Sequence, residues 1–247
     1  MKLDSVKFFG SEFAVLDLDT AAELVASRGE RERRFIVTPN VRILNLMRKD
    51  ERYRAAIQNA SMRLNDSKVT ARVAALFGVE LPTVTGSDLT ALLFDKLAGS
   101  SHEVLVVGSN EADLDKLRER YDFPLQGIHP PMGLADKPEA RRELVETLCG
   151  AQAQTILFCL GSPLGEATAN EVFAARTLPG TLLCVGASID FMTGAQRRAP
   201  LWFRDRGLEW LYRMLNDPIR LGPRYISDFF GLLAMCCSEL KQRLVSR

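Results

Sequence analysis

Asp66 is the first residue of this chain placed to do chemistry. It directly follows residues 62–65, a short extended piece, while Thr38 and Asn40 stand at the end of an apolar segment over residues 34–37. If the two segments are neighbouring strands, these polar side chains meet at one sheet edge. A carboxylate there can take a proton from an attacking hydroxyl. Spacing alone also reads Asp66 as the cap of a helix expected over residues 68–77.

A second set lies near the other end. Arg198, Arg204, Arg206, Arg213, Arg220 and Arg224 are interleaved with Trp202, Phe203, Trp210, Tyr212 and Tyr225. Guanidinium forks match phosphate oxygens, so several on one site neutralise a diphosphate. Arginines among aromatics also suit a membrane interface, with an ordinary solvated helix face as the plain alternative. Two Asp-Leu-Asp triplets, residues 17–19 and 113–115, imitate a metal-holding carboxylate pair. Asp19 beside Thr20 reads better as helix capping, and Asp113 with Asp115 as first-turn carboxylates that favour the helix dipole. GxGxxG, GxxxxGK[ST] and HExxH are all missing, and neither His102 nor His129 has a catalytic partner nearby in the sequence. Nicotinamide, P-loop and zinc chemistries lose ground accordingly, and nothing points to nucleic acid.

The elements that must position these residues follow from periodicity. A chain of 247 residues, 47% hydrophobic and 26% charged, suits one globular α/β core with a short appendage. Strands are expected over residues 13–18, 34–37, 62–65, 103–107, 125–128, 155–160 and 182–185. Helices are expected over residues 20–27, in two pieces between 41 and 57, over 68–77, from a Ser87 cap to 97, up to 121, over 138–149 and over 167–176, with a charged turn over 28–34. Strands separated by helices imply a largely parallel, Rossmann-like sheet whose ligands bind beyond the carboxyl ends of the strands. Besides Thr38, Asn40 and Asp66, that edge holds residues 108–110, 161–166 and 186–190.

Residues 196–247 show helical spacing only and carry ten Lys/Arg against five Asp/Glu, although the whole chain has a net charge of +1. Two parts are therefore expected: a catalytic sheet domain over residues 1–195 and a basic, aromatic helical appendage over 196–247, suited to an anionic partner. Five cysteines without metal-ligand spacing fit a reducing cytosol. No basic-then-apolar leader opens the chain, and the late apolar run over residues 229–237 is too short to span a membrane.

Residue order adds what composition cannot. Gly186-Ala187, Asp190-Phe191, Gly194, Arg198-Ala199-Pro200, Gly207-Leu208-Glu209-Trp210, Arg213, Pro218, Arg220 and Arg224-Tyr225 together resemble the signature of the WecG/TagA/CpsF glycosyltransferase family. Thr38 and Asn40 resemble its threonine-x-asparagine strand end, Asn65-Asp66-Ser67 its proline-aspartate-glycine turn, and Gly86-Ser87-Asp88-Leu89 its next motif. The resemblance covers nearly the whole chain. It implies a metal-independent, cofactor-free, inverting transferase, peripheral on the inner face of the cell membrane. Such an enzyme moves a hexose or N-acetylhexosamine from a UDP-sugar onto a polyprenyl-diphosphate-linked sugar for a bacterial surface polysaccharide or exopolysaccharide. Asp66 would be the base, helped by Thr38 and Asn40. Gly108, Gly161, Pro163, Glu166, Gly186 and Asp190 would line the donor site, and Arg213, Arg220 and Arg224 would grip the acceptor diphosphate. Inversion needs a single base and no covalent intermediate.

The chain departs from the family pattern in places. Pro163-Leu164-Gly165-Glu166 stands where the family has Pro-Lys-Gln-Glu, Thr85 precedes Gly86, and Gly108-Ser109-Asn110 replaces a more glycine-rich loop. Glu166 also reads as a carboxylate at a helix N-terminus. The competing reading is a non-catalytic module whose tail binds a membrane or a partner, and a second copy of the chain could shelter the tail's apolar surface.

Overall fold

The computed structural model of the chain describes residues 3–27 and 32–245, so part of the turn expected over 28–34 lies outside the described residues. Its elements are β1 (Ser5–Phe8), β2 (Ser11–Ala14), α1 (Leu18–Ala26), β3 (Arg33–Val37), α2 (Val41–Lys49), α3 (Glu51–Gln58), β4 (Met62–Arg63), α4 (Lys68–Leu76), α5 (Gly86–Leu97), β5 (Val104–Val107), α6 (Glu111–Arg120), β6 (Leu125–Ile128), α7 (Pro138–Gly150), β7 (Thr155–Phe158), α8 (Leu164–Ala175), β8 (Gly180–Cys184), α9 (Ser188–Thr193), α10 (Leu201–Asp205), α11 (Glu209–Asn216) and α12 (Pro218–Val245).

Six strands form an all-parallel sheet in the order β4-β3-β8-β7-β5-β6. Its central strands, Val-Leu-Val-Val in β5 and Thr-Ile-Leu-Phe in β7, are buried along their whole length, as a sheet covered on both faces requires. The period of two divides the core. Phe35, Val37, Val107, Phe158 and Leu182 pack under α2, α3, α7 and α8, whereas Ile36, Val106, Leu157 and Leu183 pack under α1, α5, α6 and α9. The sheet is thus the α/β fold expected from sequence, with helices on both faces and a long helix at the C-terminal end.

Several boundaries differ from expectation, each for a local reason. The N-terminal strand runs over Ser11–Ala14 rather than 13–18 and pairs antiparallel with β1 across Phe9-Gly10, where both residues have positive φ. Asp17, not Asp19, caps α1 by accepting the Thr20 N–H, and Asp19 pairs with Lys96 instead. Thr85, not Ser87, caps α5, accepting the Asp88 N–H, so the helix starts at Gly86. Helix α8 begins at Leu164, so Glu166 lies within its first turn rather than ahead of it. The strand expected over 155–160 ends at Phe158, leaving residues 159–163 as a loop at the carboxyl edge.

Helix α12 buries two carboxylates beside Leu221 and Met235 while leaving a run of large apolar side chains exposed. Its buried positions include Asp228, Gly231, Met235 and Glu239, while Ile219, Ile226, Phe229, Phe230, Leu233, Leu240 and Leu244 are exposed. Gly231 lets the helix lie directly on α2: a Cβ there would sit 2.2 Å from Asn45 Oδ1. Met235 reaches the core, and Glu239 accepts the Phe9 N–H of the hairpin turn at 3.3 Å. None of the described helices is long and apolar enough to cross a membrane.

Candidate active site

The turn Asn65-Asp66-Ser67 divides three tasks among three polar side chains. Buried Asn65 donates from Nδ2 to the carbonyls of Ser67 and Pro82, at 3.1 Å each, pinning the incoming loop. Ser67 caps α4, accepting the Thr70 N–H at 3.0 Å. Asp66 is thereby released from the capping role that spacing allowed it. Its Oδ1 accepts the Gly86 N–H at 3.2 Å, and its Oδ2 faces Asn40 Nδ2 at 3.4 Å. Asn40 is oriented by its amide oxygen, which caps α2 by accepting the Ile43 N–H at 3.2 Å.

Thr38, expected to help shape the surroundings of the base, lies at the same strand end. It is buried, and its Oγ1 donates to the Cys184 carbonyl at 3.0 Å, tying the end of β3 to that of β8. A Cβ at Gly86 would come within 3.2 Å of Thr38 Oγ1 and 3.3 Å of the Val185 backbone, so a larger residue would crowd both strand ends.

Burial pushes the Asp66 carboxyl up to about 7; hydrogen bonds from Asn40 and Gly86 pull against this, and the charges of Glu209 and Asp88 add to it. Near neutrality such a group holds or releases a proton with little cost, which suits a general base. Glu209 opens α11, so the start of that helix lies within electrostatic reach of the base. Replacing Glu209 by Gln should therefore lower the Asp66 pKa and move the acid limb of the kcat/KM pH profile to lower pH. An unmoved limb would remove Glu209 from this role.

The segment is fastened there by Asp88, which Arg198 and Arg204 reach at 2.8 and 2.9 Å. Partial burial raises the Asp88 pKa, but the Thr85 hydroxyl and the two guanidinium groups outweigh it and hold the carboxyl below its ordinary value. Two of the six late arginines are thus spent on attachment. Arg206 lies over Trp202, 4.3 Å from the ring centroid. Arg213 stands 5.8 Å from the Phe191 ring, and Tyr225 feels the charges of Arg213, Arg224, Glu209 and Asp228 together. Arg220 does not join this group: it is exposed and bonds Asp217 on the preceding turn at 2.5 Å.

The expected donor residues lie at the carboxyl edge but on different faces. Gly108 follows β5, Gly161 and Pro163 follow β7, and Gly186 follows β8. Asp190, on α9, has its pKa raised by burial and then by Asp113 of α6. Glu166 faces the opposite layer and is only 4% exposed. The Ser162 hydroxyl donates to its Oε1 at 2.6 Å, so its direct effect is on the shape of the loop before Pro163. Burial raises the Glu166 pKa against that bond and one from Tyr53. The two Asp-Leu-Asp triplets stay structural, with Asp113 bonded to Lys116 and Asp115 to Arg118.

The sequence reading missed the influence of Glu209 on Asp66, and it missed a histidine–glutamate pair. His129 follows β6, with Nε2 2.6 Å from Glu111 and Nδ1 against the Ser109 carbonyl. The Glu111 hydrogen bond, then the Ser109 carbonyl, raise the His129 pKa. Attention to the residue after every strand, β6 included, would have found it.

A parallel sheet that gathers Asn40, Asp66 and the Gly86 N–H at its carboxyl edge, beside an arginine-rich segment fastened to Asp88, is the architecture of an α/β enzyme with a candidate site at that edge. Sequence comparison makes this specific. The chain belongs to the WecG/TagA/CpsF glycosyl transferase family, whose model matches residues 6–246, and it is a glycosyltransferase.

Proposed function

We propose that the chain is an inverting transferase that moves a hexose or N-acetylhexosamine from a UDP-sugar onto a polyprenyl-diphosphate-linked sugar, at the inner face of the cell membrane, for a bacterial surface polysaccharide or exopolysaccharide. The observation that carries this reading is the placement of Asp66, a largely buried carboxyl held at the carboxyl edge of the sheet by Asn40 and the Gly86 N–H. In one displacement the acceptor hydroxyl loses its proton to Asp66 as its oxygen attacks the anomeric carbon, and UDP leaves from the opposite face. Asn40 and the Gly86 N–H hold both carboxylate oxygens, fixing the base for that transfer.

Arg213 and Arg224 are the acceptor-diphosphate ligands in this reading, with Arg220 at the solvent side. Gly108, Gly161, Pro163, Gly186 and Asp190 line the donor side, and Glu166 shapes its loop. The exposed apolar face of α12 supports membrane contact. Radiolabelled UDP-sugars offered with short-chain lipid-diphosphate acceptors bearing different first sugars test the reading. Transfer from one UDP-sugar, with the anomeric configuration inverted in the product, is expected. Retention of configuration would overturn the single-base mechanism, and vesicle binding with no transfer would favour the non-catalytic module.

A further inference from the structure

One group of charges remains without a complete pairing pattern. Asp228 of α12 is buried, and its Oδ1 is shared by Asn45 Nδ2 at 3.1 Å and Arg42 Nη1 at 3.4 Å. Arg224 Nε approaches Oδ2 only to 3.9 Å, beyond hydrogen-bond distance. The buried Nε atoms of Arg213 and Arg224 have no hydrogen-bond partner. Burial lowers the Arg224 pKa, and Arg42 and Arg213 press it further down while Tyr225 and Asp228 oppose them. Arg42, Arg213 and Arg224 therefore form one cationic patch, faced by Asp228, Glu209 and Tyr225.

Arg42 sits in the first turn of α2, two residues after Asn40, the side chain that contacts Asp66. One helical turn thus presents a base-orienting amide and a guanidinium. An acceptor whose hydroxyl meets Asp66 and whose anion lies beyond the first sugar would reach both. Half-buried like charges with spare donors are costly unless an anion completes them.

We propose that Arg42 is a further acceptor-binding residue, which with Arg213 and Arg224 cradles the acceptor diphosphate, and that Asp228 keeps this cradle assembled while competing with the anion. The inference rests on the reading that the acceptor carries a diphosphate. It adds a ligand from the sheet domain to a site otherwise supplied by the C-terminal helices.

Calorimetric titration of the full chain with inorganic pyrophosphate tests it, using Arg42→Ala, Arg42→Gln, Arg213→Ala and Asp228→Asn, each checked for folding by thermal melting. Loss of one charge-assisted contact should weaken binding roughly ten- to a hundredfold in both Arg42 variants and in Arg213→Ala. Asp228→Asn keeps the shape but removes the competing charge, so binding should tighten. Arg42 variants that bind like the natural chain while Arg213→Ala does not would overturn the proposal and leave the diphosphate reading standing. Weaker binding in Asp228→Asn would overturn the competing role given to Asp228. No binding by the natural chain would remove the diphosphate reading itself, and this proposal with it.

Discussion

Asp66→Asn is expected to lower transfer by about 10²–10⁴-fold, the usual contribution of a positioned base, while leaving UDP binding in place. The same change should make the folded chain more stable above pH 7. Folding raises the Asp66 pKa from 3.8 to about 7, with burial as the main cause. Between those values the native state keeps a proton that the unfolded chain has lost. The stabilisation from the neutral carboxyl is therefore present in full below pH 4, falls as pH rises through that window, and is gone above pH 7.

Asparagine never ionises and escapes the loss. At pH 8 the variant should gain about 1–3 kcal/mol, below the full linkage value because Asp66 is partly open to solvent screening. Near pH 4 the two melting curves should converge. For the natural enzyme, kcat/KM should rise with pH through about 7, since only the ionised carboxylate accepts a proton. Melting temperature, UDP titration and kcat/KM, each taken from pH 4 to 9, make the check. Full activity in the variant would eliminate Asp66 as the base, and a melting difference constant across pH would eliminate its raised pKa.

The sheet was legible in the sequence because its signals are local. Runs such as Val-Leu-Val-Val and Thr-Ile-Leu-Phe, each bounded by helical periodicity, identify buried parallel strands without knowledge of their neighbours. The strand-end rule then brought Thr38, Asn40 and Asp66 together, and the structure places them at one edge. Caps were harder. Asp66 and Ser67 both suit an N-cap, as do Thr85 and Ser87, and one or two residues of register decide which side chain is released for other work.

Contacts across long stretches of chain were not legible. Glu209 is far from Asp66 in sequence, and Arg42 is 186 residues from Asp228. Nothing in the arginine-rich tail separates Arg198 and Arg204, which fasten the segment to Asp88, from Arg213, whose buried Nε has no hydrogen-bond partner. That separation depends on how α10 lies against α4, through Lys68 and Asp205, and against α5, through Asp88 and Arg204. Local spacing carries no record of such contacts.

The exposed apolar surface of α12 supports the second large prediction. A helix packed on one protein normally turns its apolar stripe inward. Here Asp228 and Glu239 face inward to polar partners on α2 and the hairpin, and Phe229 and Phe230 are 57% and 63% exposed. An apolar surface of this kind calls for an apolar partner, and the excess of basic residues in the same segment favours an anionic lipid surface. Changing Phe229 and Phe230 together to Ser should lower partition onto acidic vesicles by on the order of 10²-fold, because each buried phenyl contributes about 1.5–3 kcal/mol. The melting temperature should hardly move, since neither ring belongs to the core. Raising salt should weaken binding of both proteins through the basic residues without closing the gap between them. Flotation with vesicles of defined composition gives the partition, and sedimentation in their absence gives the oligomeric state. Unchanged partition would refute the lipid assignment, and a dimer that the substitution dissolves would make a second copy of the chain the partner of this face.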